Sequence, residues 1–294
     1  MRRLFPFRAN VTIVRSATTL VLGATMPLTL DNVLSCLDLR DKEQGTYVGD
    51  NLDLDYHRVF GGQLLGQTLR AAAAAAGEGK VVKSLAQLFP REGDSATPIT
   101  YAVTKHQEGR TFGSSAVVAS QGDKTVSLAT VSLHTPDGGP QRSDPAPQAG
   151  APEDAEPVEL GMVPWETRVV GGIDLADREV GPATYQFWMR TPALPDDESL
   201  HQALLAHATD LTLIGTALRP LEGLSQADAQ VRFASAVTSH NVWFHAPVRM
   251  DEWLLVDQCS PALAQGRAFG RGDVWTQDGR LVASFAQESM IRMQ

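Results

Sequence analysis

Few residues in this sequence have the types and spacing that catalysis requires. The sequence has no Gly-x-Ser-x-Gly turn for a nucleophilic serine and no Gly-x-x-x-x-Gly-Lys-Ser/Thr phosphate loop. Its histidines and its two cysteines show no metal-ligand spacing. A glycine pair, Gly61 and Gly62, begins a helical segment, and its unobstructed backbone N–H groups can approach a negatively charged oxygen. The alternative is that this pair serves only as a turn and packing device.

The glycine pair opens the segment FGGQLLGQTLRAAAAAAG, which predicts a helix from Gly61 to Ala76 with few bulky side chains on any face. Such a helix fits inside a curved antiparallel sheet, where no face of the helix meets water. Gly66 and the run Ala71–Ala76 would then let the helix backbone approach the sheet closely. The alternative is an exposed helix built from residues of high helical propensity.

The two halves of the chain repeat each other. EGRTFGSSAVVASQGDKTVSLATVSLH aligns without gaps with QGRAFGRGDVWTQDGRLVASFAQESMI, so that Gly109 meets Gly266 at an offset of 157 residues. Each stretch alternates apolar and polar residues around a glycine turn, which predicts a β-hairpin in each half. VVKSLAQLFP and AVTSHNVWFHAP predict a strand before each hairpin. A helix precedes each of these strands, at residues 61–76 and at about residues 200–218.

Each half therefore predicts one helix followed by antiparallel strands, an α+β fold with two helix-wrapped sheets in one chain. Residues 135–157 contain six prolines and three glycines and predict a linker between domains at 26–134 and 158–294. We interpret residues 1–25 as a disordered or mis-started extension rather than a targeting peptide, so that Met26 begins the functional protein. Thr29 or Asp31 would then cap the first helix.

Composition limits the expected partners and compartment. A formal net charge of -9 argues against nucleic-acid and anionic-membrane binding, and no window reaches the roughly 18 to 20 uncharged residues of a membrane span. We therefore expect a small-molecule partner, no membrane association and no metal or cofactor. Cys36 and Cys259 lie far apart without CxxC spacing, which fits a reducing, cytoplasmic location and disfavours a disulfide.

Several motifs together resemble the type II, TesB-like acyl-CoA thioesterases. They occur in the order RVFGGQLLGQTL, FPREGD, EGRTF, HATDLTLIGTAL, SHNVWFHAP, EWLL and QDGRLVASFAQESMIR. The similarity covers about residues 28–292 without the linker. It implies a double hot-dog fold, in which two long helices, each wrapped by an antiparallel sheet, pack side by side. The implied reaction is hydrolysis of a fatty acyl-CoA to a free fatty acid and coenzyme A.

The resemblance implies a water-activating trio of Asp, Ser or Thr, and Gln from the second half. The aspartate of HATDLTLIG matches Asp210, and the glutamine of SFAQESMIR matches Gln287. The hydroxyl commonly lies three residues before the histidine of the next strand, but Val237 holds that position here. Thr238 lies nearest to the expected place, whereas Ser239 shares the face of Val237 if the strand alternates regularly.

In this mechanism Asp210 is a poorly solvated carboxylate of raised pKa that accepts a proton from water. Gln287 and one of the two hydroxyls orient that water, and a backbone N–H of Gly61 or Gly62 stabilises the oxyanion. The chemistry belongs to one half, since Gln287 aligns with Thr130 in the first half. Both residues also have a purely structural interpretation. Asp210 can be a hydrogen-bond partner for a backbone group, and Gln287 can be an ordinary strand residue.

Other polar residues have less specific interpretations. His240 and His245 are interpreted as core or interface residues rather than catalysts. Three arginines can meet the phosphates of coenzyme A or can be solvated surface residues: Arg267, Arg271 and Arg292.

Two other functions remain open at this stage. An enoyl-CoA hydratase of double hot-dog fold needs an Asp and His pair, and His207 lies three residues before Asp210. A non-catalytic acyl-CoA-binding protein would keep the fold without turnover. Either way we expect a homodimer or higher homo-oligomer, because two hot-dogs side by side leave sheet faces and edges to cover.

Overall fold

The computed structural model describes residues 27–54 and 58–294. The predicted extension at residues 1–25, and Met26 with it, lie outside the described residues. The first half contains, in chain order, α1 Leu30–Leu37, β1 Arg40–Asp41, β2 Thr46–Gly49, α2 Gly61–Ala75, β3 Val81–Leu88, β4 Ile99–Glu108, β5 Phe112–Gln121 and β6 Lys124–His134.

The second half begins with a short 3-10 helix, Pro152–Asp154. It continues with β7 Glu156–Leu160, β8 Val163–Val169, a 3-10 helix Val170–Gly172, β9 Thr184–Arg190, α3 Glu198–Thr209, α4 Leu213–Leu218, a 3-10 helix Gln226–Asp228, β10 Phe233–Phe244, β11 Leu254–Ala264, β12 Arg267–Thr276 and β13 Leu281–Met293. Residues 135–151 carry no helix or strand, and β7 begins inside the range predicted as linker.

The described strands form one antiparallel sheet in the order β1-β2-β4-β5-β6-β3-β10-β13-β12-β11-β9-β8-β7. The prediction of an α+β fold is confirmed. The two predicted sheets are joined into one because β3 of the first half pairs with β10 of the second, with Leu85 opposite Val242. α2 and α3 pack against each other on the inner face of this joined sheet.

The predicted helix capping and hairpin turns are confirmed. The hydroxyl of Thr29 accepts a hydrogen bond from the backbone N–H of Asn32 at the start of α1. β5 and β6 form one hairpin, and β12 and β13 form the other. Gly122 and Gly279 in the two turns have φ of 56° and 84°, a left-handed conformation that favours glycine.

The gap-free repeat extends along β5 and β12 but not along the strands that follow. Gly113 and Gly270 match at the offset of 157, yet Gly113 lies opposite Leu133 and Gly270 lies opposite Gln287. The last strands therefore correspond at an offset of 154, because the second hairpin advances only 17 residues from Gly270 to Gln287, against 20 from Gly113 to Leu133. The structural counterpart of Gln287 in the first half is Leu133, and the match to Thr130 is wrong.

α2 is inserted between the sheet and α3, as its small residues require. A Cβ at Gly66 would lie 2.8 Å from Leu37 Cδ2 and 3.2 Å from the carbonyl oxygen of Ala203, so this glycine admits α1 and α3 rather than the sheet. Ala71 and Ala72 are buried, but the run becomes exposed at Ala74. The expectation that no face of this helix meets water is therefore wrong for its last turn.

The helix predicted at about residues 200–218 is interrupted. α3 ends at Thr209 and α4 begins at Leu213. The side chain of Gln258 on β11 accepts a hydrogen bond from the Thr212 hydroxyl at 3.0 Å and donates one to the Thr216 hydroxyl at 2.6 Å. These bonds hold the first turn of α4 against the sheet. The interruption between α3 and α4 leaves Asp210 at the end of α3.

Candidate active site

Three polar side chains meet on the inner face of the sheet, where α3 ends. Asp210 comes from the helix break, His240 from β10 and Gln287 from β13, and each is at most 3% exposed. His240 lies directly opposite Gln287 in the strand pair. The Nδ1 atom of His240 is 2.8 Å from Gln287 Oε1 and 4.0 Å from Asp210 Oδ1. The structure thus brings the two residues predicted from the sequence, Asp210 and Gln287, close to the same nitrogen of one imidazole.

Burial determines the charge on Asp210. Removal from water raises the pKa of its carboxyl to about 7, and a hydrogen bond from the backbone N–H of Gly62 limits that rise. Its Oδ1 atom has no hydrogen-bond partner among the described residues. A buried carboxylate oxygen without a partner is costly, so this atom is suited to bind a polar group that enters the site.

The proton on His240 is placed by its neighbours. Burial lowers the pKa of His240 to about 4, so the imidazole is neutral near pH 7. Because Gln287 Nε2 donates to the Ser289 hydroxyl at 2.9 Å, the amide presents Oε1 to His240, whose Nδ1 must carry the proton. His240 Nε2 is then an acceptor and lies 3.1 Å from the hydroxyl of Thr209.

A β-bulge at Thr238 decides which side chains of β10 face the site. Val237 lies opposite Ser289 and Ser239 lies opposite Glu288, so the register shifts between them. Val237 therefore shares the inner face with His240 although the two are three residues apart. Strict alternation, which would place Val237 and Ser239 on one face, fails at this bulge.

The two hydroxyls predicted for the trio lie away from Asp210 and Gln287. Thr238 donates to the backbone carbonyl oxygen of Glu288 at 3.0 Å. Ser239 pairs with Glu288 on one side and with Leu88 on the other, and both of these partners are on the exposed face of the sheet. The structure brings neither hydroxyl to the site.

The glycine pair at the start of α2 contacts Asp210 across the boundary between the halves. A Cβ at Gly61 would lie 2.8 Å from Asp210 Oδ2, and one at Gly62 would collide with the carbonyl oxygen of His207. Absence of side chains therefore lets the positive end of α2 reach the carboxylate. The Gly62 N–H, predicted to bind an oxyanion, is directed at Asp210 in this structure.

Comparison with known proteins identifies the family. The N-terminal domain of acyl-CoA thioesterases matches residues 52–134, and the C-terminal domain matches residues 136–291. Acyl-CoA thioesterase 2 of Haemophilus influenzae is 33% identical, over 90% of this chain and 98% of its own. The chain belongs to the acyl-CoA thioesterase family. The resemblance noted in the sequence is thereby confirmed, and the protein is an enzyme of the thioesterase class.

Solved structures show the same fold. The crystal structure of acyl-CoA thioesterase II TesB2 from Mycobacterium marinum is 33% identical, with a TM-score of 0.77, and is matched over 89% of this chain and 98% of its own. A hot-dog protein from Alicyclobacillus acidocaldarius has a TM-score of 0.74 at 19% identity, over 89% and 98% of the two chains. The predicted hot-dog fold is confirmed.

The candidate site has neighbours that the sequence did not indicate. His240, interpreted as a core or interface residue, contacts Gln287 directly. Gln87 of the first half lies opposite His240 on β3, is 1% exposed and donates to the Ser127 hydroxyl at 3.1 Å. Both are polar residues on strands whose patterns predict core positions. Only the strand register places Gln287 on one side of His240 and Gln87 on the other.

Other predicted residues lie outside this cluster. The Nε2 atom of His207 is 2.7 Å from the carbonyl oxygen of Met162, and its ring packs against Phe60 and Trp165. His245 hydrogen-bonds the Ser284 hydroxyl. The three arginines proposed for phosphate binding lie on the outer face of the sheet: Arg267, Arg271 and Arg292.

The described residues contain no group of three or more His, Cys, Asp or Glu side chains arranged to hold a metal ion. Within the same residues, no helix combines the length and apolar character needed to cross a membrane. Cys36 and Cys259 are both free thiols.

Proposed function

We propose that this protein hydrolyses a fatty acyl-CoA to a free fatty acid and coenzyme A, with Asp210 as the base that activates water. The observation that carries the proposal is the buried Asp210 carboxyl, with its pKa raised to about 7, beside the amide of Gln287. A base titrating near neutral pH accepts a proton from water far better than an exposed aspartate does. Family membership and the names of the thioesterase relatives support the same reaction.

The proposed reaction has two steps. Asp210 takes a proton from a water while the water oxygen bonds to the thioester carbonyl carbon, giving a tetrahedral oxyanion. The oxyanion then re-forms the carbonyl as the carbon–sulfur bond breaks, and Asp210 returns the proton to the departing thiolate. No group of the protein becomes covalently attached, and the carboxylate is regenerated.

Gln287 orients the water in this mechanism. Its Oε1 accepts from His240, and one proton of Nε2 is bonded to Ser289. The second Nε2 proton remains to hold either the water oxygen or the developing oxyanion. His240 is neutral and adjacent, so it orders the amide without forming an ion pair that would lower the basicity of Asp210.

The α2 N-terminus takes a different role from the one predicted from sequence. Because the Gly62 N–H is directed at the Asp210 carboxylate, it stabilises the ionised base. Without this bond, burial alone would raise the pKa further and leave less carboxylate at neutral pH. Gly61 leaves room for the carboxylate to lie against the helix start.

We further expect assembly through the outer face of the sheet. Leu88 and Leu128 lie opposite each other there, and Trp243 is on the same face of β10, each more than 40% exposed. Exposed apolar side chains on three adjacent central strands are typical of a surface that a second copy covers. Sedimentation of the purified protein measures whether it is a homodimer or a larger oligomer.

A panel of saturated and enoyl acyl-CoA substrates tests the function. We expect release of free thiol from the saturated substrates. Loss of enoyl absorbance without thiol would favour a hydratase, although His207 is engaged by Met162 rather than paired with Asp210. Saturable binding without turnover would favour the acyl-CoA-binding alternative and overturn the proposal.

A further inference from the structure

The bulge in β10 creates a second pair of inward-facing residues beside His240 and Gln287. Val237 lies directly opposite Ser289, and both share the inner face of the sheet. Val237 packs with the apolar cluster around α4 and offers only methyl groups. Ser289 is 2% exposed, so the hydroxyl of this pair is carried by β13 and not by β10.

The Ser289 hydroxyl contacts the amide that the proposed mechanism uses. Ser289 Oγ accepts a hydrogen bond from Gln287 Nε2 at 2.9 Å, while Gln287 Oε1 accepts from His240 at 2.8 Å. The two bonds hold opposite ends of the Gln287 amide and fix its plane. The second N–H bond of Nε2 therefore points in one fixed direction. The hydroxyl itself donates to no other described residue, which leaves its proton for a water next to the amide.

We propose that Ser289 is a positioning residue, which holds the Gln287 amide in the orientation that directs the attacking water. The inference rests on the proposed function, and it assigns the third polar group of the site to β13 instead of Thr238 or Ser239. Ser289 acts through its hydrogen bond with Gln287. Its loss should therefore lower kcat while KM stays unchanged, because a misdirected amide affects the transition state more than substrate binding.

The cross-strand geometry supplies a rescue experiment. The steady-state kinetics of Ser289→Ala, Val237→Ser and the double variant are compared with those of the wild type on a saturated acyl-CoA. We expect Ser289→Ala to lower kcat about tenfold, the effect of one lost hydrogen bond to the site. The double variant should recover most of that loss, since position 237 presents its new hydroxyl to the same place from the opposite strand.

Ser260→Ala is the matched control. Ser260 is also a buried serine of this sheet, and its hydroxyl donates to the carbonyl oxygen of Phe269 at 2.8 Å, away from Gln287. We expect this variant to keep the wild-type kcat. Melting temperatures of all variants show whether they fold, and Ser289→Cys, which keeps the side-chain size with a weaker donor and acceptor, replaces Ser289→Ala if the latter does not.

Two results would overturn the inference: a wild-type kcat in Ser289→Ala, or a double variant no more active than Ser289→Ala alone. Failure of the proposed function is distinguishable from either of these. If the wild type releases no thiol, or if Asp210→Asn keeps full activity, the water-activating mechanism fails. If Asp210→Asn is inactive and Ser289→Ala is unaffected, only the role of Ser289 is refuted.

Discussion

The carboxylate oxygen Oδ1 of Asp210 lies 4.0 Å from Nδ1 of His240, and both side chains are almost completely buried. This separation is too long for a hydrogen bond, and the imidazole gives its Nδ1 proton to Gln287. Burial raises the pKa of Asp210 and lowers that of His240, so both groups favour their neutral forms. The two residues are neighbours without being an ion pair, which keeps Asp210 basic.

The raised pKa of Asp210 predicts that this residue destabilises the folded protein. Below about pH 3 the carboxyl is mostly protonated in both states and has almost no effect on stability. As pH rises to about 7, the unfolded chain loses this proton first. The free energy of unfolding then falls by up to about 4 kcal/mol. Asp210→Asn should therefore melt at a higher temperature than the wild type at about pH 8.

The same comparison has a built-in control. The gain in melting temperature for Asp210→Asn should disappear near pH 3, where the wild-type carboxyl is mostly uncharged in both states. Calorimetry at both pH values measures the difference. An Asn variant that is less stable than the wild type at about pH 8 would show that the carboxylate stabilises the fold.

His240→Phe should lower kcat because it removes the proton donor to Gln287 while keeping a ring stacked on Phe285. An unpaired buried Gln287 Oε1 costs about 1 to 3 kcal/mol, so a loss of at least about fivefold in kcat is expected. His245→Phe is the matched control, since His245 lies beyond the end of β10 and contacts Ser284. Equal kcat values for the two variants would remove His240 from the site.

Thr238→Ala and Ser239→Ala should each change kcat by less than about twofold, as expected for substitutions away from the reacting groups. The bulge directs the Thr238 hydroxyl to Glu288 and turns Ser239 to the outer face. Initial rates at saturating acyl-CoA measure the effect. A loss of about tenfold or more in either variant would mean that β10 adopts the other register during catalysis.

Gly62→Ala should lower both activity and melting temperature. The new Cβ would collide with the His207 carbonyl oxygen and lie 2.5 Å from Phe60 Cε1, so the start of α2 must move away from α3 and from Asp210. Gly139→Ala, in the segment between the halves where nothing lies near the new Cβ, is the control. Wild-type behaviour of Gly62→Ala would show that the helix start is not required at Asp210.

Much of the fold follows from local patterns in the sequence. The hairpins follow from alternation around Gly122 and Gly279, and the insertion of α2 follows from its small residues. The sequence indicates Asp210 and Gln287 because each lies in a motif that resembles the family's, and the motif assigns the residue to a single position. These features depend on a residue's own neighbours in the chain.

The remaining features depend on pairing between strands. The bulge at Thr238 reverses the face of every residue before it, and alternation alone cannot locate a bulge. The contact of His240 with Gln287 arises only from the register of β10 with β13. The break after α3 likewise depends on Gln258 of a strand far along the chain. None of these contacts leaves a local signal in the sequence.

The pH dependence of kcat/KM for thiol release, measured in parallel for the wild type and Asp210→Asn, tests the role of Asp210 most directly. Ionisation of the buried carboxyl predicts a wild-type rate that rises with pH and levels off above an apparent pKa of about 7. Asp210→Asn should be at least about tenfold slower at the plateau and should lack this rise. A wild-type profile in the Asn variant would contradict the assignment of Asp210 as the base.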